Sequence, residues 1–290
     1  MSSRSVQDRI IFGRPDVESI VSDGLLCADM HFHTNCSDSY TTVEDALALA
    51  KRRNVGFAIT DHNLIDGSVK AFGLKDEDQF MVPGIEISAW DGPHILVYFY
   101  SLDEMVEYWK RNTQPYISHS PWLGIDKGVE WILDSLEDVN CVISAAHPHG
   151  YLGTVKGVQK AIDRGILDVS VAKRMDAYEV ICSGMSRGEN IRAGKCALEY
   201  GIGYTGGSDG HLLSELGTVL TVSDAADLDG FLDSIVKHTN TIVGKEKNIA
   251  KKILMGMTSV SRFSTSCLVP SIARKAELAR YRGTKNRPGV

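Results

Sequence analysis

The sequence predicts an α/β barrel, on three observations. Short apolar runs of strand length alternate with segments of helical periodicity from about residue 24 to residue 244. The apolar runs end in histidines and carboxylates, the pattern of a fold whose chemistry gathers at the C-terminal mouth of its strands. Seven of the nine histidines occupy such positions, a concentration that scattered core or surface histidines would not give.

Residues 1–23 are polar and mixed and read as an N-terminal extension with one short helix around Pro15 to Ser22. The run Gly24 to Cys27 leads into Ala28-Asp29-Met30-His31-Phe32-His33-Thr34. Residues two apart on a strand share a side, so His31 and His33 aim at one point beyond its end. Thr41 and Glu44, three apart, read as a capping box for a helix with Val43, Ala46, Leu47 and Ala50 on one face. Lys51-Arg52-Arg53 closes that helix at its negative end. A strand over Val55 to Thr60 ends in Asp61-His62. Met81–Ser88, carrying Glu86, and Ile95–Tyr100 read as a hairpin around Asp91-Gly92, which returns His94 to the far end of the strand that holds Glu86. Residues 101–139 form a helical insertion, with helices at Leu102–Arg111 and Val129–Leu136, placed to wall the mouth. Cys141–Ala146 then ends in His147-Pro148-His149-Gly150, and Ala177–Cys182 carries Glu179. A helix with Ala193, Cys196, Ala197 and Tyr200 on one face follows, and Gly201–Thr205 leads into Gly206-Gly207-Ser208-Asp209-Gly210-His211. The barrel closes with a strand at Thr218–Val222, a helix with Leu228, Phe231, Leu232 and Ile235 on one face, and a strand at Thr241–Val243. Residues 245–290 are a basic C-terminal extension.

Hydrophobic and charged fractions of 43% and 23% are those of a soluble globular protein, and no apolar run reaches the roughly 18 residues of a membrane span. Met1 to Ile20 lacks the apolar core of a signal peptide, so a cytoplasmic protein is expected. The six cysteines are scattered without a Cys-x-x-Cys pair, which argues for reduced thiols over a disulfide framework or a thiolate zinc site. From Thr241 to Val290 there are 11 Lys and Arg against 2 Asp and Glu, so an acidic body carries a basic flank able to attract an anionic substrate. For the last ten residues, with Arg282, Lys285 and Arg287 among Gly and Pro, a solvated tail is the plainer reading.

The strand-end set is His31, His33, Asp38, Asp61, His62, Glu86, His94, His147, His149, Glu179, Asp209 and His211. Imidazoles mixed with carboxylates, without thiolates, are the ligand set of zinc, iron or manganese in hydrolytic sites. So many ligands exceed one ion's needs, so two or three metals sharing a carboxylate are expected. The ordered series Asp29-Met30-His31-Phe32-His33-Thr34, Ser37-Asp38, Thr60-Asp61-His62, Gly84-Ile85-Glu86, His94-Ile95-Leu96, Ala146-His147-Pro148 and Gly207-Ser208-Asp209-Gly210-His211 resembles the motif set of the PHP (polymerase and histidinol phosphatase) phosphoesterases. The resemblance covers Cys27 to Val222. It implies a distorted (β/α)7 TIM-like barrel with a di- or trinuclear site at its mouth. It also implies one metal on His31, His33, Glu86 and Asp209, a second on Glu86, His94 and His147, and a third on Asp38, His62 and His211. Some members carry a histidine one residue after the position of Asp38, where this chain has Ser39.

Glu86, with histidines expected on both sides, is the candidate bridge. A hydroxide shared by two cations forms near neutral pH and attacks phosphorus in line, with no covalent intermediate. Asp61 is expected to orient His62 or His33, or else to cap the following loop. His149 is a candidate for substrate phosphate or for the leaving-group proton, and otherwise a surface histidine. Arg187 is a candidate phosphate fork or a solvated helix start. Glu179 is a candidate substrate contact or a partner of a helix N-terminus. His119 and Arg111 are weaker candidates, and His238 reads as a helix-end residue. The leading expectation is a metal-dependent phosphoesterase acting on a small phosphorylated metabolite or nucleotide. The alternatives are a 3′–5′ exonuclease on nucleic-acid ends and a non-catalytic metal-binding module.

Overall fold

The computed structural model describes residues 9–117, 123–151 and 153–266. Its ten-stranded sheet runs in the spatial order β1 (Ile10–Phe12), β10 (Thr241–Gly244), β9 (Val219–Ser223), β2 (Leu26–Phe32), β3 (Gly56–Ile59), β4 (Met81–Ser88), β5 (His94–Phe99), β6 (Cys141–Ala145), β7 (Ala177–Cys182), β8 (Gly203–Gly207). The strands β2 to β4 are mutually parallel, as are β6 to β8, while β5 runs antiparallel to both its neighbours. β9 is antiparallel to β2 and to β10. The sheet curls until the segment after β8 reaches β2, where Phe32 bridges Gly210 and the His33 N–H donates to the Gly210 carbonyl at 2.9 Å. The result is an open, distorted α/β barrel, and the two antiparallel strands are its distortion. Strands covered on both faces are apolar almost throughout, as in Ile95-Leu96-Val97-Tyr98-Phe99.

The hairpin of β4 and β5 pairs Ser88 with His94, which puts the imidazole two residues from Glu86 along the neighbouring strand. α2 (Val43–Arg53) starts one residue later than the sequence suggests. Thr42, not Thr41, caps it, its hydroxyl accepting from the Asp45 N–H at 3.1 Å, while the Thr41 N–H donates to the buried Ser39 hydroxyl. In the insertion, α4 (Leu102–Tyr108) ends in a π turn at Trp109–Thr113, and a 3-10 turn follows at Gln114–Tyr116, where Pro115 has no N–H to offer. α5 (Val129–Leu136) buries Val129, Ile132, Leu133 and Leu136. His119, Pro121 and Trp122 lie outside the described residues.

Both flanks differ from expectation. Ile10–Phe12 pairs in parallel with β10, so part of the N-terminal segment is the edge of the sheet; α1 (Val17–Ser22), capped by Asp16, follows it. In the basic C-terminal segment, α9 (Ile249–Ser266) lies across the barrel mouth. Ser259 Oγ donates to Asp38 Oδ2 at 2.5 Å, Arg262 Nη2 to the Asn35 carbonyl at 2.8 Å, and Lys252 Nζ to the Met185 carbonyl at 2.8 Å. Cys267, Arg282, Lys285 and Arg287 lie outside the described residues. The other five cysteines are free, and no described helix is long and apolar enough to cross a membrane.

Candidate metal centre

β2 delivers its two histidines as the alternation requires. His31 Nε2 and His33 Nε2 face each other at 3.1 Å, both rings fully buried. Asp29 clamps the strand from behind, with Oδ1 accepting from the Ser208 N–H at 2.8 Å and Oδ2 from the Gly217 N–H at 2.8 Å. The clamp leaves no room for a side chain at Gly207, whose added Cβ would stand 2.3 Å from His31 Cβ and 2.6 Å from its backbone nitrogen. Gly207→Ala is therefore expected to cost about 2–3 kcal/mol of folding stability through overpacking, measured by urea unfolding.

Glu86 sits among five imidazoles. Its Oε1 lies 3.0 Å from His94 Nδ1, 3.2 Å from His147 Nε2 and 3.4 Å from His31 Nε2. Its Oε2 lies 2.9 Å from His62 Nδ1 and 3.5 Å from His33 Nε2. Asp209 Oδ1 lies 3.3 Å from His33 Nε2, 3.6 Å from His31 Nε2 and 3.7 Å from His211 Nδ1. Asp38 presents Oδ2 to His211 Nε2 at 2.9 Å and to His62 Nε2 at 3.8 Å, and Oδ1 to His33 Nδ1 at 3.7 Å. Three buried donor groups result: His31, His33 and Glu86; His62, Glu86 and His94; and His33, Asp38, His62 and His211.

The donor set fits divalent cations. Ligand atoms bound about 2.0–2.2 Å from one tetrahedral ion stand about 3.3 Å apart, the range found between the His31 and His33 nitrogens and from these nitrogens to Glu86 and to Asp209. The buried Nδ1 atoms of His33 and His147 have no hydrogen-bond partner among the described residues. All nine residues that the sequence marks as metal ligands converge here.

Electrostatics sort the cluster by charge. Burial alone would raise the carboxyl groups of Glu86, Asp38 and Asp209, but the surrounding imidazoles hold all three well below the carboxylate range. Burial would lower His31, yet the carboxylates of Glu179, Glu86 and Asp209 raise it well above the ordinary value, and Asp38 lifts His211 to about 9 in the same way. Burial wins at His33, down to about 4 with His211 adding, and at His94, down to about 3.

Four of the candidate side chains make contacts outside the leading reading, and Arg187 takes its alternative place at a helix start. Glu179 is fully buried beneath the cluster and out of a substrate's reach: Oε1 meets His31 Nδ1 at 3.0 Å and Oε2 accepts from the His147 N–H at 2.7 Å. Asp61 orients neither His62 nor His33. It accepts from the Thr34 N–H at 2.7 Å and the Thr34 hydroxyl at 2.6 Å, fixing the loop after β2, and burial raises it to about 7. Arg187, the first residue of α7 (Arg187–Tyr200), lies on the Phe12 ring at 4.2 Å and pairs with Glu246 at 2.8 Å. His149 turns from the cluster toward Asp163, 3.8 Å from Nδ1.

Other contacts were not legible in the sequence. Tyr151 OH donates to Asp209 Oδ2. The buried Lys247 ammonium donates to the Asp209 carbonyl at 2.9 Å and pairs with Glu215 Oε2 at 3.1 Å. His147 and Asp209 both have positive φ, 29° and 45°, which turns the chain at the strand ends so that their side chains point inward. Tyrosine and lysine in loops carry no periodic signal, so only the folded geometry reveals these contacts.

Residues 187–240 match the family model described as PHP-associated, and no curated protein matches the chain. Among solved structures, a candidate metal-dependent phosphoesterase from Bifidobacterium adolescentis is similar at 17% identity and TM-score 0.52, over 77% of this chain and 98% of that one. A two-domain protein from Bacteroides vulgatus containing a predicted PHP-like metal-dependent phosphoesterase is similar at 16% identity and TM-score 0.54, over 84% and 70%. The lesion-specific endonuclease EndoQ from Pyrococcus furiosus is similar at 15% identity and TM-score 0.58, over 75% of this chain and 57% of that one. These likenesses are of fold.

Proposed function

We propose that this chain, whose fold is that of the PHP phosphoesterases, hydrolyses phosphoric esters with two or three divalent ions of zinc, manganese or iron. The observation that carries the reading is Glu86, one ionised carboxylate held among five imidazoles in a fully buried position. On this reading His31, His33, Glu86 and Asp209 hold one ion, Glu86, His94 and His147 a second, and Asp38, His62 and His211 a third, with His33 Nδ1 turned toward Asp38. Ions held there supply Lewis acidity toward water and toward a phosphoryl group.

The chain's own residues prepare that chemistry. Glu179 fixes the His31 ring so that Nε2 faces the cluster, and it pins the backbone of His147. Asp61 and Asp29 hold the two loops that carry Asp38 and Asp209. Burial and the nearby Glu179 and Asp209 carboxylates push the Cys182 thiol well above its ordinary value, which keeps it in the neutral form. A reducing, cytoplasmic setting accords with the five free cysteines.

Turnover of p-nitrophenyl phosphate should vanish on chelation and return with manganese or zinc. Protein with bound metal that cleaves neither monoesters nor diesters would overturn the reading and favour a non-catalytic metal-binding module. A second reading, a nuclease, has only a groove of about 1120 Å³ to draw on, lined by Arg14, Arg52, Arg53, Lys245 and Lys251 beside Asp16 and Glu18 and by none of the cluster residues. It requires diester cleavage and nucleic-acid binding that weakens steeply with salt.

A further inference from the structure

A cavity of about 370 Å³, within the range of small-molecule sites, opens over Asp38, His62 and His94. Its walls are the β4–β5 turn with Trp90, the insertion at Leu123-Gly124, the loop at Val155-Lys156, and Ser259 of α9. Lys156 is the one Lys or Arg among the described residues lining it, and its ammonium meets no carboxylate among the described residues. The loop that carries it is clamped. The Lys156 carbonyl accepts from the His94 N–H at 2.9 Å, and the Val155 carbonyl oxygen lies so close to Gly92 that a Cβ there would stand 2.9 Å from it. Trp90 borders the same cavity and is 58% exposed, with its backbone N–H held by the Lys127 carbonyl at 2.8 Å. The nearby Lys127 ammonium lies over Tyr116 and Trp131 instead, and Trp90 has no ring or cation partner among the described residues.

We infer that this cavity recognises a phosphorylated small molecule bearing a planar ring, with Lys156 as the phosphate anchor and Trp90 as the surface on which the ring stacks. An exposed ammonium on the cavity wall with no carboxylate partner among the described residues is a point-charge donor for phosphate. An open indole face at the rim offers stacking that tolerates any flat ring. Together they describe a nucleoside monophosphate or an aryl phosphate, and the walls leave room for one such molecule. The inference rests on the hydrolase reading of the same site, and binding measurements separate the two.

The test titrates metal-loaded protein with inorganic phosphate and with adenosine 5′-monophosphate by calorimetry, with metal content checked in every variant. Lys156→Gln should weaken both ligands about tenfold or more and raise KM for p-nitrophenyl phosphate more than it lowers kcat, with Lys156→Arg restoring most of the affinity. Trp90→Ala should weaken the nucleotide about tenfold and leave inorganic phosphate unchanged. Wild-type affinity for phosphate in Lys156→Gln, or for the nucleotide in Trp90→Ala, overturns the assignment, as does a wild-type protein that binds neither ligand. Binding that behaves as expected in protein that hydrolyses no ester upholds the cavity assignment and overturns the hydrolase reading instead.

Discussion

Glu86→Gln protein should lose phosphoesterase turnover by about 10³-fold or more and bind at least one fewer divalent ion per chain. The substitution keeps the side chain's shape and its place opposite Leu96 on β5. It removes the negative charge that five imidazoles surround, and it turns one of two acceptor oxygens into a donor pointing at ring nitrogens. Elemental analysis of dialysed protein beside initial rates checks both halves. Full metal content with full activity would show that Glu86 is a packing residue and not a shared ligand.

Lys247→Met should lower folding stability by about 3–5 kcal/mol, the cost of leaving a buried charge uncompensated. Lys247 is 8% exposed and its partner Glu215 1%. Glu215 Oε2 also accepts from the His211 N–H at 3.0 Å and the Leu212 N–H at 3.2 Å, so the lysine and the loop carrying two candidate ligands share one carboxylate oxygen. The Lys247 N–H in turn donates to the Ser183 carbonyl at 2.7 Å, anchoring the lead into α9. Urea unfolding of the single variant and of Lys247→Met with Glu215→Gln measures the coupling. The double variant should recover part of the loss, and a single-variant loss below about 1 kcal/mol would mean that solvent already compensates the pair.

The parts of this molecule legible in the sequence are those governed by local periodicity. His31 and His33 share a strand face because the strand period is two, and Asp91-Gly92 announces the hairpin that carries His94 to Glu86. Glu179, Asp61 and Arg187 misled because residue type and strand-end position do not say which neighbour a side chain meets. Arg187 found Glu246 and Phe12, contacts 59 and 175 residues away in sequence. β1 is not legible because three residues are too few to show a period. Where the sequence reads only as a basic extension, α9 forms: Ile249, Ile253, Leu254, Met257 and Val260 are all exposed, while Lys252, Ser259 and Arg262 make contacts to the barrel. Its amphipathic pattern is real, but the apolar stripe does not mark the side that faces the protein.

The left-handed backbone at His147 and Asp209 carries a consequence for anyone improving this protein's robustness. Each such non-glycine position costs roughly 1–3 kcal/mol that the surroundings must absorb. Glycine would relax that tension at either place, so selection for heat tolerance alone should drift toward discarding these two side chains. A screen that rewards survival of the fold must therefore also score uptake of metal, or its most durable winners will be empty shells.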